Sequence, residues 1–196
     1  DITDTIVIVN NVDSAVVGTY AVTYNVSDAN GNAAAEVTRT VNVVDTTVPL
    51  ITLLGEATVT LEVGTSYTDA GATASDNYDG DITDTIVIVN NVDSAVVGTY
   101  AVTYNVSDAN GNAAAEVTRT VNVVDTTVPL ITLEGEATVT LEVGTSYTDA
   151  GATASDNYDG DITDTIVIVN NVDSAVVGTY AVTYNVSDAN GNAAEE

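Results

Sequence analysis

The chain of 196 residues sets 29 Asp and Glu against two Arg, with no Lys, His, Cys, Met, Trp or Phe, for a formal charge of −27. This inventory removes imidazole bases, thiolate nucleophiles, disulfides and lysine Schiff bases, and leaves carboxylates, hydroxyls, phenols and two guanidinium groups for any chemistry. So negative a surface repels nucleic-acid phosphates and anionic membrane faces, and its natural partners are cations, divalent ones above all.

Residues 1–51 recur as 81–131, and 1–34 recur again as 161–194, in a register of 80 residues. Near-identity at that spacing marks a tandem array. Within the overlaps only Leu54 against Glu134, and Ala35 and Ala115 against Glu195, differ; a position that accepts both Leu and Glu reads as exposed. The clearest punctuation is VVDTTVP at 43–49 and 123–129, where a strand-like run meets two Thr and then a Pro that cannot continue a central ladder. Boundaries near Asp45 and Asp125 follow. They give a partial unit at 1–45 with C-terminal strands only, a complete unit at 46–125, and a unit at 126–196 lacking its last strand.

Inside the complete unit the apolar period is two. Residues 50–53 and 58–63 read as a first pair of strands around Gly55, followed by a polar stretch at 64–84 with a short strand near 70–74, and then a strand at 85–90. Residues 99–107 alternate cleanly, with Tyr100, Val102, Tyr104 and Val106 on one face and Thr99, Ala101, Thr103 and Asn105 on the other. Asn110-Gly111 is a hairpin-turn signal, and 117–124 returns as the final strand. Six or seven short strands per unit with no helical signature predict an all-β chain of tandem β-sandwiches. With 45% hydrophobic residues and a mean hydropathy of +0.20, the chain is expected to fold despite its charge. No apolar run has the length of a membrane-spanning helix, so no membrane insertion is expected. The start at Asp1, without initiator Met or leader, reads as a processed polypeptide or a piece of a longer one.

Gly98-Thr99-Tyr100-Ala101-Val102 fits the tyrosine-corner pattern of immunoglobulin-like sandwiches, with Val102 where antibody domains carry a Cys. The segments ITLLGEATVTLEVGTSYTDAGATASDNYDGDIT and VGTYAVTYNVSDANGNAAAEVTRTVNVVDTT, taken in that order, resemble the bacterial Ig-like repeats of large surface proteins and adhesins, relatives of the hyalin-repeat group. The resemblance covers essentially the whole chain. It implies an extracellular or cell-surface, non-enzymatic tandem module, and it names no ligand.

In a sandwich, strand direction alternates, so the 64–84 loop and the last hairpin loop at 108–113 lie at one pole, where the first strand also begins. Asp45, delivered through Thr46 and Thr47, is therefore expected to converge with Asp76, Asp79, Asp81 and Asp108, and the next junction repeats the set as Asp125, Asp156, Asp159, Asp161 and Asp188. Clustered carboxylates repel unless a cation neutralises them, and Ca²⁺ takes about six to eight oxygens of the kind these Gly-containing loops supply. Ca²⁺ is accordingly the expected cofactor and these aspartates its expected ligands. The competing reading treats Asp, Asn and Gly as ordinary turn residues on a solvated surface, and DNYDGD is not an EF-hand loop. Asp69 and Asp149, in the YTDAG segments, rank below the others.

Arg119 shares strand parity with Val117 and Val121, so it is expected partly inward, paired with a carboxylate such as Glu62 or Asp69, or else at a strand end reaching solvent. Tyr78 and Tyr158, in the acidic loops, are placed to pack across a junction. Asp79 and Asp81 as a glycosidase acid and base are disfavoured: nothing suggests a cleft or an apolar pocket that raises a pKa. The N-V-S sequons at Asn25, Asn105 and Asn185 lie on strands and mean little outside a eukaryotic secretory pathway.

Two functions compete. The first is a calcium-stiffened stalk or extender of a bacterial surface adhesin or matrix protein. The second is a filament subunit in which the last unit, missing the counterpart of 117–124, accepts residues 37–44 of a neighbour's incomplete first unit, so that the partners are other copies joined head to tail. Carbohydrate binding has little support, since aromatics are 5% and all are Tyr.

Overall fold

The computed structural model describes residues 1–194; the substitution at Glu195 lies outside them. The chain is all-β, built of tandem immunoglobulin-like units. Residues 1–45 form β1 (Val7–Asn10), β2 (Gly18–Asn25) and β3 (Val37–Val43). The complete repeat follows with β4 (Leu50–Leu53), β5 (Thr58–Glu62), β6 (Ala72–Asp76), β7 (Gly80–Asp81), β8 (Val87–Asn90), β9 (Gly98–Asn105) and β10 (Val117–Val124). The last repeat carries β11 (Leu130–Leu133), β12 (Ala152–Asp156), β13 (Gly160–Asp161), β14 (Val167–Asn170) and β15 (Val182–Asn185).

By packing, the described residues divide into two compact units. The first comprises Asp1–Leu54, Gly71–Ile88 and Tyr104–Val117; the second comprises Gly55–Ala70, Val89–Thr103 and the described residues from Thr118 onward. In the first, β1, β2 and β3 make an antiparallel sheet with Val9 opposite Thr23 and Val22 opposite Arg39, and β4, β6 and β7 make another with Ile51 opposite Ala74. Alternation buries Ile51, Ala72, Ala74 and Tyr104. In the second, β11, β12 and β13 repeat the β4-β6-β7 arrangement, β14 pairs with β15, and β5 pairs with β10. Val102, Val121 and Val123 are buried there.

The order β5-β10-β9-β8 makes the largest sheet, and its β5–β10 pair is parallel, with Val121 opposite Val59 and Val123 opposite Leu61. This corrects the expectation that 50–53 and 58–63 pair with each other. β4 hydrogen-bonds to β6 instead, because Gly55, at φ +73, turns the chain so that Ala57 O accepts from Thr120 N. The polar stretch also holds more order than the pattern suggests. The strand expected near 70–74 is β6, shifted toward Asp76, and Asp81 Oδ1 accepts from Thr83 N at 3.0 Å to start a single 3₁₀ turn at Thr83–Thr85.

The tyrosine corner is present. Tyr100 Oη donates to Val96 O at 2.9 Å, and Tyr20 and Tyr180 repeat the bond to Val16 and Val176. Arg119 is 2% exposed, with Nη1 3.4 Å from Asp69 Oδ1; of the two expected partners the fold uses Asp69. Glu62 instead braces the linker, where its carboxylate accepts from the amides and hydroxyls of Thr126 and Thr127, just past β10.

Candidate metal centre

Two turns and a linker aspartate just past a strand build each acidic cluster. β6 and β7 are joined by Asn77-Tyr78-Asp79, closed by Gly80 at φ +75, a conformation an L side chain resists. Asp76 Oδ1 accepts from the amides of Tyr78 and Asp79, at 2.8 and 3.2 Å, which fixes both aspartates on the same side of the turn. The second turn follows β9. Asp108 Oδ1 accepts from the amides of Asn110 and Asn112, and Oδ2 from the Asn112 side chain at 2.7 Å. The Asn110-Gly111 turn is thus a loop organised by Asp108 rather than a two-residue hairpin, since among the described residues only glycines have positive φ and Asn110 therefore cannot supply the first position of that turn.

The turns are tied together by Ala109 N, which donates to Asp79 Oδ2 at 3.0 Å. Asp45, beyond β3, completes the group. Its Oδ2 accepts from Asn110 Nδ2 at 3.2 Å and its backbone carbonyl from Asn112 Nδ2 at 3.3 Å. Asp45, Asp76, Asp79 and Asp108 each offer an oxygen within 4.8 Å of the others. The same geometry recurs with Asp125, Asp156, Asp159 and Asp188, where Asn190 and Asn192 hold Asp125 at 2.9 and 3.1 Å.

Asp81 and Asp161 stand outside both groups. Each is exposed and spends its carboxylate on the following turn, accepting from Thr83 or Thr163, which holds its pKa below the ordinary value. Asp69 and Asp149 are likewise outside, bonded to Tyr67 and to Tyr147 and Tyr184 respectively. Asn112 and Asn192 were not singled out from the sequence; the D-x-N-x-N spacing of DANGN is the signal that points to them. Tyr78 and Tyr158 reach back to the preceding repeat, their hydroxyls accepting from Val17 N at 3.3 Å and Val97 N at 3.4 Å.

Two observations bear on whether the clusters call for a counter-charge. Asp76 Oδ2 and Asp156 Oδ1, one in each cluster, are buried with no hydrogen-bond donor, a desolvated state that an anionic oxygen tolerates poorly without a counter-charge. Burial also pushes the Asp125 carboxyl up, with the charges of Asp156 and Asp188 adding to the rise against the bond from Asn190. At Asp108 and Asp188 burial pushes upward as well, but the Asn112 and Asn192 bonds outweigh it and hold both below the ordinary value. The donor set is all oxygen, with no His or Cys in the chain, so the clusters could hold a hard cation.

The family described as bacterial surface protein, Ig-like domain, matches residues 1–43, 51–123 and 131–196, one match per repeat. The chain is 35% identical over 93% of its length to hyalin of Strongylocentrotus purpuratus and 37% identical over 91% to hyalin of Lytechinus variegatus. It is 31% identical over its whole length to the pesticidal crystal protein Cry22Aa of Bacillus thuringiensis. It spans only 16%, 35% and 27% of these relatives, respectively. A lipoprotein structure from Bacteroides thetaiotaomicron is 31% identical, with 41% of this chain and 39% of that one aligned at a TM-score of 0.37, an overlap too partial to add to the fold. The family is named for a bacterial surface protein, and no helix among the described residues is long and apolar enough to cross a membrane. With its repeats, tyrosine corners and family match taken together, the chain belongs to the bacterial surface protein Ig-like domain family and is an extracellular or cell-surface structural module.

Proposed function

We propose that the chain is a length of calcium-stiffened stalk, a spacer that extends a surface adhesin or matrix protein away from its anchor. The observation that carries this reading is the membership of each cluster. Three aspartates come from two turns of one repeat and the fourth, Asp45 or Asp125, from the linker that ends the repeat before it. A cation bound there joins consecutive repeats at a point where the chain alone offers a short polar linker. Ca²⁺ suits the donors better than Mg²⁺, because Ca²⁺ accepts irregular, many-oxygen shells while Mg²⁺ demands a near-ideal octahedron and keeps its water.

The hinge between repeats would then be loose without the ion and stiff with it. Calorimetric titration of the metal-free chain should give two Ca²⁺ per chain, with thermal unfolding raised by many degrees and the scattering profile more extended when Ca²⁺ replaces EDTA. Superimposable melts and no binding heat would reject the calcium reading and leave the family assignment intact.

A further inference from the structure

The peptide group between Val96 and Val97 of the complete repeat is held from both sides by tyrosines. Its carbonyl oxygen accepts from the corner hydroxyl of Tyr100 at 2.9 Å, and its N–H donates to Tyr158 Oη, on the repeat that follows, at 3.4 Å. The group between Val16 and Val17 is held in the same way, by Tyr20 Oη at 2.8 Å and Tyr78 Oη at 3.3 Å. A peptide whose carbonyl accepts a hydrogen bond is polarised into a better N–H donor, so the corner of one repeat prepares the amide that the next repeat takes. That amide sits on a firm footing. Asp93 accepts from Ala95 N through its side chain at 3.0 Å and from Val96 N through its carbonyl at 3.3 Å, and Ser94 O accepts from Gly64 N at 2.7 Å.

Tyr78 and Tyr158 are 43% and 38% exposed, so burial does not hold either ring. Their backbone aims them. The Tyr158 amide donates to Asp156 Oδ2 at 2.7 Å and the Asp159 amide to the same oxygen at 3.1 Å, while Asp156 Oδ1 is buried without a donor. Asp76 holds the amides of Tyr78 and Asp79 on Oδ1 and likewise keeps a bare Oδ2. At each junction, then, one carboxylate both belongs to the acidic cluster and holds the turn that carries the tyrosine.

We propose that Tyr78 and Tyr158 are positioning residues that carry cation binding into the angle between repeats, an inference that rests on the calcium reading of the clusters. A cation that neutralises Asp156, Asp159 and their neighbours fixes the Asp156 carboxylate, hence the two amides on it, and sets the Tyr158 hydroxyl against the Val97 amide. In the metal-free chain the four carboxylates repel, the turn shifts with Asp156, and the hydroxyl bond opens first because it is long and exposed. The linker aspartate by itself is a pivot. The tyrosine adds a second contact on a different loop of the preceding repeat, and two contacts fix an orientation where one leaves it free. By linkage the bond strengthens the cation site by as much as the cation strengthens the bond.

Amide hydrogen exchange followed by NMR on the full chain reads the bond at its donors, Val17 and Val97. Replacing EDTA by Ca²⁺ should slow exchange at both amides at least about fivefold. The chain carrying Tyr78→Phe and Tyr158→Phe keeps both rings, and neither side chain is buried, so its fold should stand. It should still bind two Ca²⁺, at most about tenfold more weakly, yet lose the slowing at Val17 and Val97 and scatter as a less extended molecule in Ca²⁺ than wild type. Calcium bound with exchange at Val97 unmoved overturns the proposal and leaves the calcium reading standing, as does slowing that survives Tyr158→Phe. No binding heat in the wild-type chain defeats the calcium reading, and this proposal with it.

Discussion

The side-chain amide of Asn192 donates both to the backbone carbonyl of Asp125, at 3.1 Å, and to Asp188 Oδ2, at 2.6 Å. One loop residue therefore grips the last acid of the preceding repeat and the pivot of its own turn. Asn32 occupies the same position in the loop at 28–32, where its side-chain amide donates to Asp28 Oδ2 at 2.8 Å and, among the described residues, to no linker aspartate. Replacing Asn192 by Ala should lower the melting temperature by a few degrees in EDTA and loosen the linker, and Asn32→Ala should cost clearly less, because it breaks no bond between repeats. Differential scanning calorimetry of the two variants makes the comparison.

The bare oxygen of Asp76 gives the metal reading a local test. Asp76→Asn removes one negative charge from a crowded cluster, so the metal-free protein should melt no lower than wild type, while Ca²⁺ stoichiometry falls from two to one or affinity at that centre drops at least about tenfold. Asp81→Asn, outside the cluster and bonded to Thr83, should leave calcium binding unchanged. Isothermal titration distinguishes them, and equal losses in both variants would move the site.

Acid stability follows from the signs of the shifts. The Thr126 amide and hydroxyl hold Glu62 below its ordinary value of 4.5, and the Asn112 and Asn192 bonds, opposing burial, hold Asp108 and Asp188 below 3.8. For such groups the unfolded chain binds more protons than the folded one, so their contribution is complete above the ordinary values and disappears as pH falls through the lower folded ones. Asp125, raised mainly by burial, has the opposite sign and gains stability on protonation. Melting in EDTA should therefore hold down to the ordinary carboxylate range and fall below it. Glu62→Gln should lower the plateau and make the acid limb shallower.

Arg119 and Asp69 form the buried ion pair of the complete repeat, at 3.4 Å with 2% and 13% side-chain exposure. Arg119→Met strands a buried carboxylate and should destabilise by about 3–5 kcal/mol, and Asp69→Asn in the same chain should recover a large share. Arg39, exposed and 5.8 Å over the Tyr24 ring, should tolerate Met at a cost below about 1 kcal/mol. Urea unfolding monitored by Tyr fluorescence measures all three.

Much of the fold is legible before any coordinates. Period-two alternation predicts β9 with Val102 and Tyr104 inward, and both are fully buried; the corner tyrosine follows from Gly98-Thr99-Tyr100; and of the two readings of Arg119, partly inward or reaching solvent, the inward one that its parity suggests is the one found. These succeed because each depends on residues close in sequence whose side-chain direction the pleat dictates. The pairing of β4 and β5 failed for the complementary reason. A strand's pattern says which face is apolar but not which neighbour it bonds, and β5 takes a parallel partner from the far end of the repeat.

At the candidate site, composition and strand direction by themselves bring the linker aspartates Asp45 and Asp125 together with the loop acids, since pole assignment needs only an alternating chain path. The tertiary structure alone decides that Asp79 turns inward while Asp81, two residues on, turns to Thr83, and that Arg119 meets Asp69 while Glu62 meets the linker threonines. Those choices depend on which backbone amides lie within hydrogen-bond reach of each carboxylate, a distance of about 3 Å that folding sets and residue order does not.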